Sequence, residues 1–329
     1  MPVQENRSVG ILLVNLGSPA EASVPAVRRF LAEFLGDPRV VNLPRALWWL
    51  ILHAFILPFR PQKSARAYQK IWTSQGSPLV VNTRELTERL KTRLNGAPNL
   101  TIDYAMRYGK PSLASRLLAF KEQNIQQIFI VPLYPQYSST TTASVYDSMV
   151  EAFNQWRHLP SFQFIGDYHS DSRYIQAVAD SIRASWQDHG QSQVLIMSFH
   201  GLPKQLTDWG DPYFYQCHNT AKLIADNLAL SENQWRIVFQ SRFGKAEWLK
   251  PYCVEVLAQL PKQGIESVDI VCPGFAVDCL ETLEEIAIEN KSVFIEAGGK
   301  SYRYIPSLND SHDHAEVIIE VLAQHGLKI

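Results

Sequence analysis

Apolar residues along this chain follow two alternating rhythms. Short runs of branched and aromatic residues closed by Gly or Pro predict buried strands at residues 10–17 (GILLVNLG), 101–107, 128–133, 162–165, 194–199, 236–240 and 268–271. Between them the apolar positions recur about every three or four residues, the period of a helix with one buried face. Val27, Phe30, Leu31 and Phe34 mark one such helix, and residues 79–93, 112–123, 141–156 and 174–187 mark others. This alternation predicts an α/β fold of parallel sheets flanked by helices, in which ligands are met at the carboxyl ends of the strands.

Three motifs occur twice and in the same order. GILLVNLGSP in the first half answers QVLIMSFHGLP in the second, Arg107-Tyr108-Gly109-Lys110 answers Arg242-Phe243-Gly244-Lys245, and FIVPLYP answers DIVCP. The ordering predicts two related halves of similar topology, at residues 1–165 and 166–310, with a cleft between them and a C-terminal helix at 311–329. The first half is longer, and its excess holds residues 46–59, ALWWLILHAFILPF, apolar except for His53. This stretch reads as an insertion at 46–60 into the common unit. It is too short to span a bilayer, which takes roughly 18–20 apolar residues as a helix. Two readings stand for it: a buried helix, or an apolar lip serving a greasy ligand or a membrane surface.

Composition narrows the field. Among 329 residues, 46% are hydrophobic, and 31 Lys and Arg oppose 32 Asp and Glu, a formal net charge of −1. An ordered globular chain follows, and a general attraction for nucleic acid does not. Cys217, Cys253, Cys272 and Cys279 are too few and too scattered for a disulfide framework, and no C-x-x-C pair occurs. The opening residues MPVQENRSVG carry no apolar signal stretch. The expected location is therefore the cytoplasm, with peripheral contact at the inner face of the membrane through residues 46–59. Neither G-x-G-x-x-G nor G-x-x-x-x-G-K-[ST] is present, so the expected ligand is neither a dinucleotide nor a nucleoside triphosphate.

His200 stands in MSFHGLPK, at the carboxyl end of a predicted strand. Gly201 there lets a substrate approach the backbone, and Pro203 stiffens the turn. A neutral imidazole in that place can ligate a metal or accept a proton; the plainer reading is a hydrogen-bonded structural histidine. Residues 278–289, DCLETLEEIAIE, set an apolar stripe of Leu280, Leu283, Ile286 and Ala287 against a column of Asp278, Glu281, Glu285 and Glu289. A capping box from Asp278 to Glu281 on a solvated helix is the plain account. The column lacks basic partners, however, so the sharper account is a path that leads a divalent cation toward Glu281, aided by a π-bulge. Tyr108, Trp248 and Phe275 suit stacking on a flat ring, and Arg107 suits either a ligand carboxylate or the ordering of its own turn. His312 and His314, at a helix start, read as surface residues.

Together these motifs resemble ferrochelatase, the family that inserts ferrous iron into protoporphyrin IX at the last step of haem synthesis. The resemblance runs through GILLVNLGSP, the lip, SARAYQKIWTSQGSP, RYGKPS, PLYPQYSSTTTASVYD, SFHGLPK, GDPYFYQC, FQSRFGKAEWLKPY and CPGFAVDCLETLEEI. It implies two similar Rossmann-like domains, each a parallel sheet flanked by helices, with the porphyrin held in the cleft. Carried over residue by residue, it puts the catalytic histidine on His200, the catalytic glutamate on Glu281, and an acidic metal path on Glu285 and Glu289. The porphyrin-contacting positions fall on Arg107, Tyr108, Trp248 and Phe275, and the lip positions on Trp48, Trp49 and Leu50. His200 and Glu281 would divide proton acceptance and metal delivery, in an order that stays open.

Fe2+ is then expected as substrate, with no organic cofactor. Two departures from the family pattern bear on the site. Cys279 stands where several relatives have a histidine, which changes the donor set of the metal path. Ser139 stands at the internal cysteine position used by cluster-bearing members, and no cysteine follows Cys279. No iron–sulfur cluster is expected on those ligands, and a monomer is expected rather than a cluster-dependent dimer. The alternatives are a chelatase for another tetrapyrrole, such as coproporphyrin or a corrin precursor, and a non-catalytic haem- or metal-binding module. The long apolar lip favours the less carboxylated protoporphyrin, and the pairing of His200 with Glu281 favours an enzyme, a lyase.

Overall fold

The computed structural model of the protein describes residues 7–97, 99–244 and 246–328. Lys245, the last residue of the second four-residue repeat, lies outside them. The chain divides into two compact units. One takes the chain up to Tyr134, Ser139–Asp167 and the stretch from Ile318; the other takes Pro135–Ser138 and Tyr168–Val317.

The first unit is built on β1 (Val9–Gly17), β2 (Leu100–Tyr108), β3 (Gln127–Pro132) and β4 (Ser161–Phe164). They form a parallel sheet in the order β2-β1-β3-β4. Ile11, Leu12, Leu13 and Val14 are wholly buried, as a strand covered by helices on both faces requires. Around the sheet run α1 (Val24–Gly36), α2 (Arg45–Ile51), α3 (Leu57–Ile71), α4 (Pro78–Arg93), α5 (Leu113–Glu122) and α6 (Thr142–Phe153). Ser23 caps α1 and Ser112 caps α5, each hydroxyl accepting a backbone N–H of the first turn. A first π-helix, Leu52–Ile56, joins α2 to α3.

The second unit repeats the plan. Its sheet has the order β6-β5-β7-β8, from β5 (Val194–His200), β6 (Trp235–Gln240), β7 (Ser267–Val271) and β8 (Ser301–Tyr304), again all parallel. The helices are α7 (Ser172–His189), α8 (Lys204–Asp208), α9 (Tyr213–Asn227), α10 (Cys253–Gln259) and α11 (Lys291–Glu296). A second π-helix, Glu281–Asn290, precedes α11. The last helix, α12 (His312–Gln324), spans the division between the units at Val317. Val194, Ile196, Val238, Val268 and Ile270 line the core from three neighbouring strands.

The matching strand orders account for the repeat seen in the sequence, but its register needs correction. Each second strand is followed by a cis-proline, Lys110-Pro111 and Lys250-Pro251. The Pro111 carbonyl accepts from the Met106 N–H at 2.7 Å, and the Pro251 carbonyl accepts from the Phe239 N–H at 2.8 Å. Met106 therefore corresponds to Phe239, which pairs Arg107 with Gln240 rather than with Arg242. Local sequence likeness slipped by two residues because the second connection is longer. The strand β8 escaped the hydrophobic pattern because SYRY is a short edge strand with mixed burial. Among the histidines, His312 is on the surface as expected, whereas His314 is buried with Nδ1 against the Asn309 carbonyl at 2.5 Å. Burial pushes its pKa down to about 4, so it stays neutral.

Candidate active site

In a sheet of this order the chain leaves the central strand in both directions, and ligands are met where those departures diverge. In the second unit that point lies beyond the carboxyl ends of β5 and β7. His200 is the last residue of β5, and Phe275 follows β7 closely, with 6.4 Å between the two ring centres. The imidazole Nδ1 lies 2.7 Å from the Gly201 carbonyl. A carbonyl oxygen can only accept, so Nδ1 carries a proton and donates it, and Nε2 is the ring nitrogen this bond does not use. That nitrogen is free to bind a metal or take a proton. Gly201 is required by close packing: a Cβ there would stand 2.6 Å from the Gln240 carbonyl oxygen, which already accepts the Gly201 N–H at 2.7 Å.

The acidic segment is a π-helix of ten residues, longer than the expected bulge. Its i→i+5 bonding is rare in proteins and concentrates at functional sites. Glu281 and Glu285 are half-buried on it, and Glu289 is exposed. Ser241 donates its N–H to Glu285 Oε1 at 2.7 Å and its hydroxyl to Oε2, while Gln240 Nε2 lies 3.4 Å from Oε2. Burial pushes the Glu285 carboxyl above the usual glutamate range, and neighbouring Glu281 adds to this. The Ser241 donors and nearby His200 work in the opposite direction. The structure thus brings His200 and Glu281 each into electrostatic reach of Glu285. No three His, Cys, Asp or Glu side chains converge on one cation position among the described residues.

Asp278 does not belong to this column. Its buried carboxylate accepts the Tyr304 hydroxyl at 2.5 Å, Asn309 Nδ2 at 2.7 Å and the Thr282 hydroxyl at 2.9 Å. The expected capping box is likewise replaced, because Asp278 spends its oxygens on side chains of two other segments. Cys279 is buried, and burial, with Glu281 beside it, pushes its thiol well above the ordinary range. All four cysteines are buried and free. Trp248 packs against Gly201, and its buried indole N–H has no hydrogen-bond partner among the described residues.

The first unit treats its predicted residues differently. Arg107 is 18% exposed; Nη2 bonds Asp37 at 2.7 Å, and Nε bonds the Ser144 carbonyl and hydroxyl at 2.9 and 2.7 Å. Tyr108 is only 1% exposed, with its hydroxyl 2.8 Å from Asp37. It is therefore part of the interior and offers no open face for stacking. Burial alone would raise the Asp37 carboxyl, but the Ser144 hydroxyl, the Arg39 N–H, Tyr108 and Arg107 together hold it below its ordinary value. The second reading of Arg107, ordering its own turn, is the one this network displays. Sequence inspection missed Asp37 and Ser144, since neither lies near Arg107 along the chain.

The lip divides in the same manner. Trp48 is 6% exposed and donates its indole N–H to the Leu35 carbonyl at 2.6 Å, so it anchors the segment rather than lining a mouth. Trp49, Leu50, Phe55 and Phe59 are 61%, 54%, 64% and 73% exposed. A helix period separates the neighbours: one indole turns inward and the next turns outward. No helix among the described residues is long and apolar enough to cross a membrane.

Comparison with known proteins bears on the family and the fold. The ferrochelatase family model matches residues 8–326. The ferrochelatase of Methylococcus capsulatus is 53% identical over 313 residues, covering 95% of this chain and 95% of its own. The ferrochelatase of Nitrosococcus oceani is 48% identical over 318 residues, covering 96% of this chain and 86% of its own. Among solved structures, SirB from Bacillus subtilis with Fe3+ superposes with a TM-score of 0.58 at 14% identity, covering 96% of each chain. CbiX, the terminal enzyme of siroheme biosynthesis in denitrifying bacteria, gives 0.53 at 13% identity, covering 97% of this chain and 100% of its own. At such low identity these two likenesses concern the fold, two sheets of the chelatase kind.

Proposed function

The chain belongs to the ferrochelatase family, and on that premise we propose that it is a lyase that inserts Fe2+ into protoporphyrin IX to form haem. The observation that carries this reading is His200, whose Nδ1 is engaged by the Gly201 carbonyl and whose Nε2 is not, together with the half-buried Glu281 and Glu285 at the start of a π-helix.

Metal insertion forms bonds from the ring nitrogens to iron and releases two pyrrole protons, so the site must take up protons and release a hydrated cation from its water. His200 Nε2 and the Glu281 carboxylate are the groups suited to these tasks, one for protons and one for metal. Glu285 and Glu289 follow Glu281 along the π-helix, each roughly a turn further, and serve as successive stations for the incoming Fe2+. Fe2+ is cargo here, so weak and successive contacts suit it better than a closed tetrahedral site. Trp248 and Phe275 stand beside His200 as the apolar surfaces for the ring, and binding a bent ring better than a flat one would lower the barrier to insertion. The exposed Trp49 and Leu50 of the lip serve an apolar ligand or the surface of a membrane at its cytoplasmic face. The reaction as proposed needs no organic cofactor or cluster, and the active species is a monomer.

The test is metallation by the purified protein under anaerobic conditions, with Fe2+ or Zn2+ and either protoporphyrin IX or coproporphyrin. Many turnovers with protoporphyrin IX are expected. Faster insertion into coproporphyrin would change the substrate assignment, and stoichiometric binding without turnover would overturn the enzymatic one.

A further inference from the structure

We propose that Gln240 and Ser241 act together as positioning residues, a bracket that sets the spacing between His200 and the acidic start of the second π-helix. The inference rests on the functional reading above for His200, Glu281 and Glu285. Both lie in the FQSRFGKAEWLKPY stretch, and neither has an ionisable side chain.

The contacts run in two directions from one dipeptide. Toward β5, the Gln240 carbonyl accepts the Gly201 N–H at 2.7 Å, and its Oε1 accepts the Ser198 hydroxyl at 2.7 Å. These fix Gln240 against the residues on either side of His200. Toward the π-helix, Gln240 Nε2 donates to the Glu281 carbonyl at 3.0 Å, and Ser241 donates its N–H and hydroxyl to the Glu285 carboxylate. Gln240 and Ser198 are buried, so these bonds exchange little with water. Two consecutive residues thus link the backbone and side chain flanking His200 to the Glu281 carbonyl and the Glu285 carboxylate.

The backbone at Ser241 supports a selected role. Its φ is +65°, in the left-handed region that costs a residue with a Cβ roughly 1 kcal/mol or more. Glycine would remove that cost, yet it has no hydroxyl for Glu285. A glutamate side chain otherwise samples many rotamers, and two donors from one residue confine it to one. Loss of the hydroxyl should therefore loosen a station for the metal while leaving the ring surfaces of Trp248 and Phe275 in place.

The experiment is steady-state Zn2+ insertion into protoporphyrin IX by the full-length wild type, Ser241→Gly and Ser241→Ala. The glycine variant relieves the backbone, so it is the one expected to fold without penalty. In both variants KM for the metal should rise about tenfold, the factor that accompanies loss of one hydrogen bond to a charged group. KM for the porphyrin should stay within about twofold, because that surface is untouched. Ser241→Gly with unchanged metal KM and kcat would overturn the bracket, and so would an equal rise in both KM values, which marks a general loosening. An inactive wild type in the same run would overturn the functional reading and the bracket together; an active one confines any failure to the bracket.

Discussion

Each unit turns its chain at the carboxyl end of its second strand by the same device, a cis-proline whose carbonyl closes on a strand N–H, yet the two ends carry opposite kinds of side chain. At the end of β2 stands Arg107, a permanent cation, answered within its own unit by Asp37 and Ser144. After Phe239 in β6 come Gln240 and Ser241, neutral groups that hold Glu285 and the Glu281 carbonyl. The first arrangement consumes its charge internally; the second steadies acidic groups without neutralising them. A duplicated fold supplies the geometry of a strand end, and the residue placed there decides which charged groups it holds.

This contrast can be broken most severely at the second unit. Replacing His200 by Ala or Glu281 by Gln should each cut the metallation rate by about a thousandfold, in the range for removing an acid–base group, with unfolding transitions near the wild type. Wild-type rates in either variant would remove that residue from the chemistry. At the first unit the same style of change should act on stability. Asp37→Asn leaves Arg107 without its anion and should cost about 3 kcal/mol in urea unfolding. A catalytic loss with unchanged stability there would mean that the network works directly on substrate.

The smallest effect is expected at the feature that only the first unit possesses. Polar replacement of Trp49 and Leu50 should change stability by less than about 0.5 kcal/mol, since both face outward. Retention on lipid vesicles of plasma-membrane composition should fall in the same variant, as a sedimentation assay would show. Unaltered retention would leave the lip as a surface with no membrane role.

Much of this could be read from residues alone. The apolar runs located seven of the eight strands among the described residues within a residue or so of their ends, because strands covered on both faces must be apolar throughout. His200 was legible for a related reason: a polar ring at the end of such a strand has few structural excuses. The glutamates were legible from spacing, and the π-helix that carries them gives that spacing its backbone. Asp278 shows the limit of the method. It shares the spacing of the column, but Tyr304 and Asn309 claim its carboxylate, and both lie far along the chain.

By itself, then, the sequence determined the alternation of strands and helices, the doubling of the fold and the family, and it singled out His200 and the glutamates as candidates. Those features are written in local periodicity and short motifs, which the chain carries wherever it folds. Tertiary structure decided which of two adjacent tryptophans turns inward, that Tyr108 and His314 are interior, and that Arg107 answers to Asp37. It also decided that Gln240 and Ser241 join the histidine to the acids. Each of these depends on partners distant in sequence, whose meeting is set by sheet order and register, and no periodicity of the chain records who stands opposite whom.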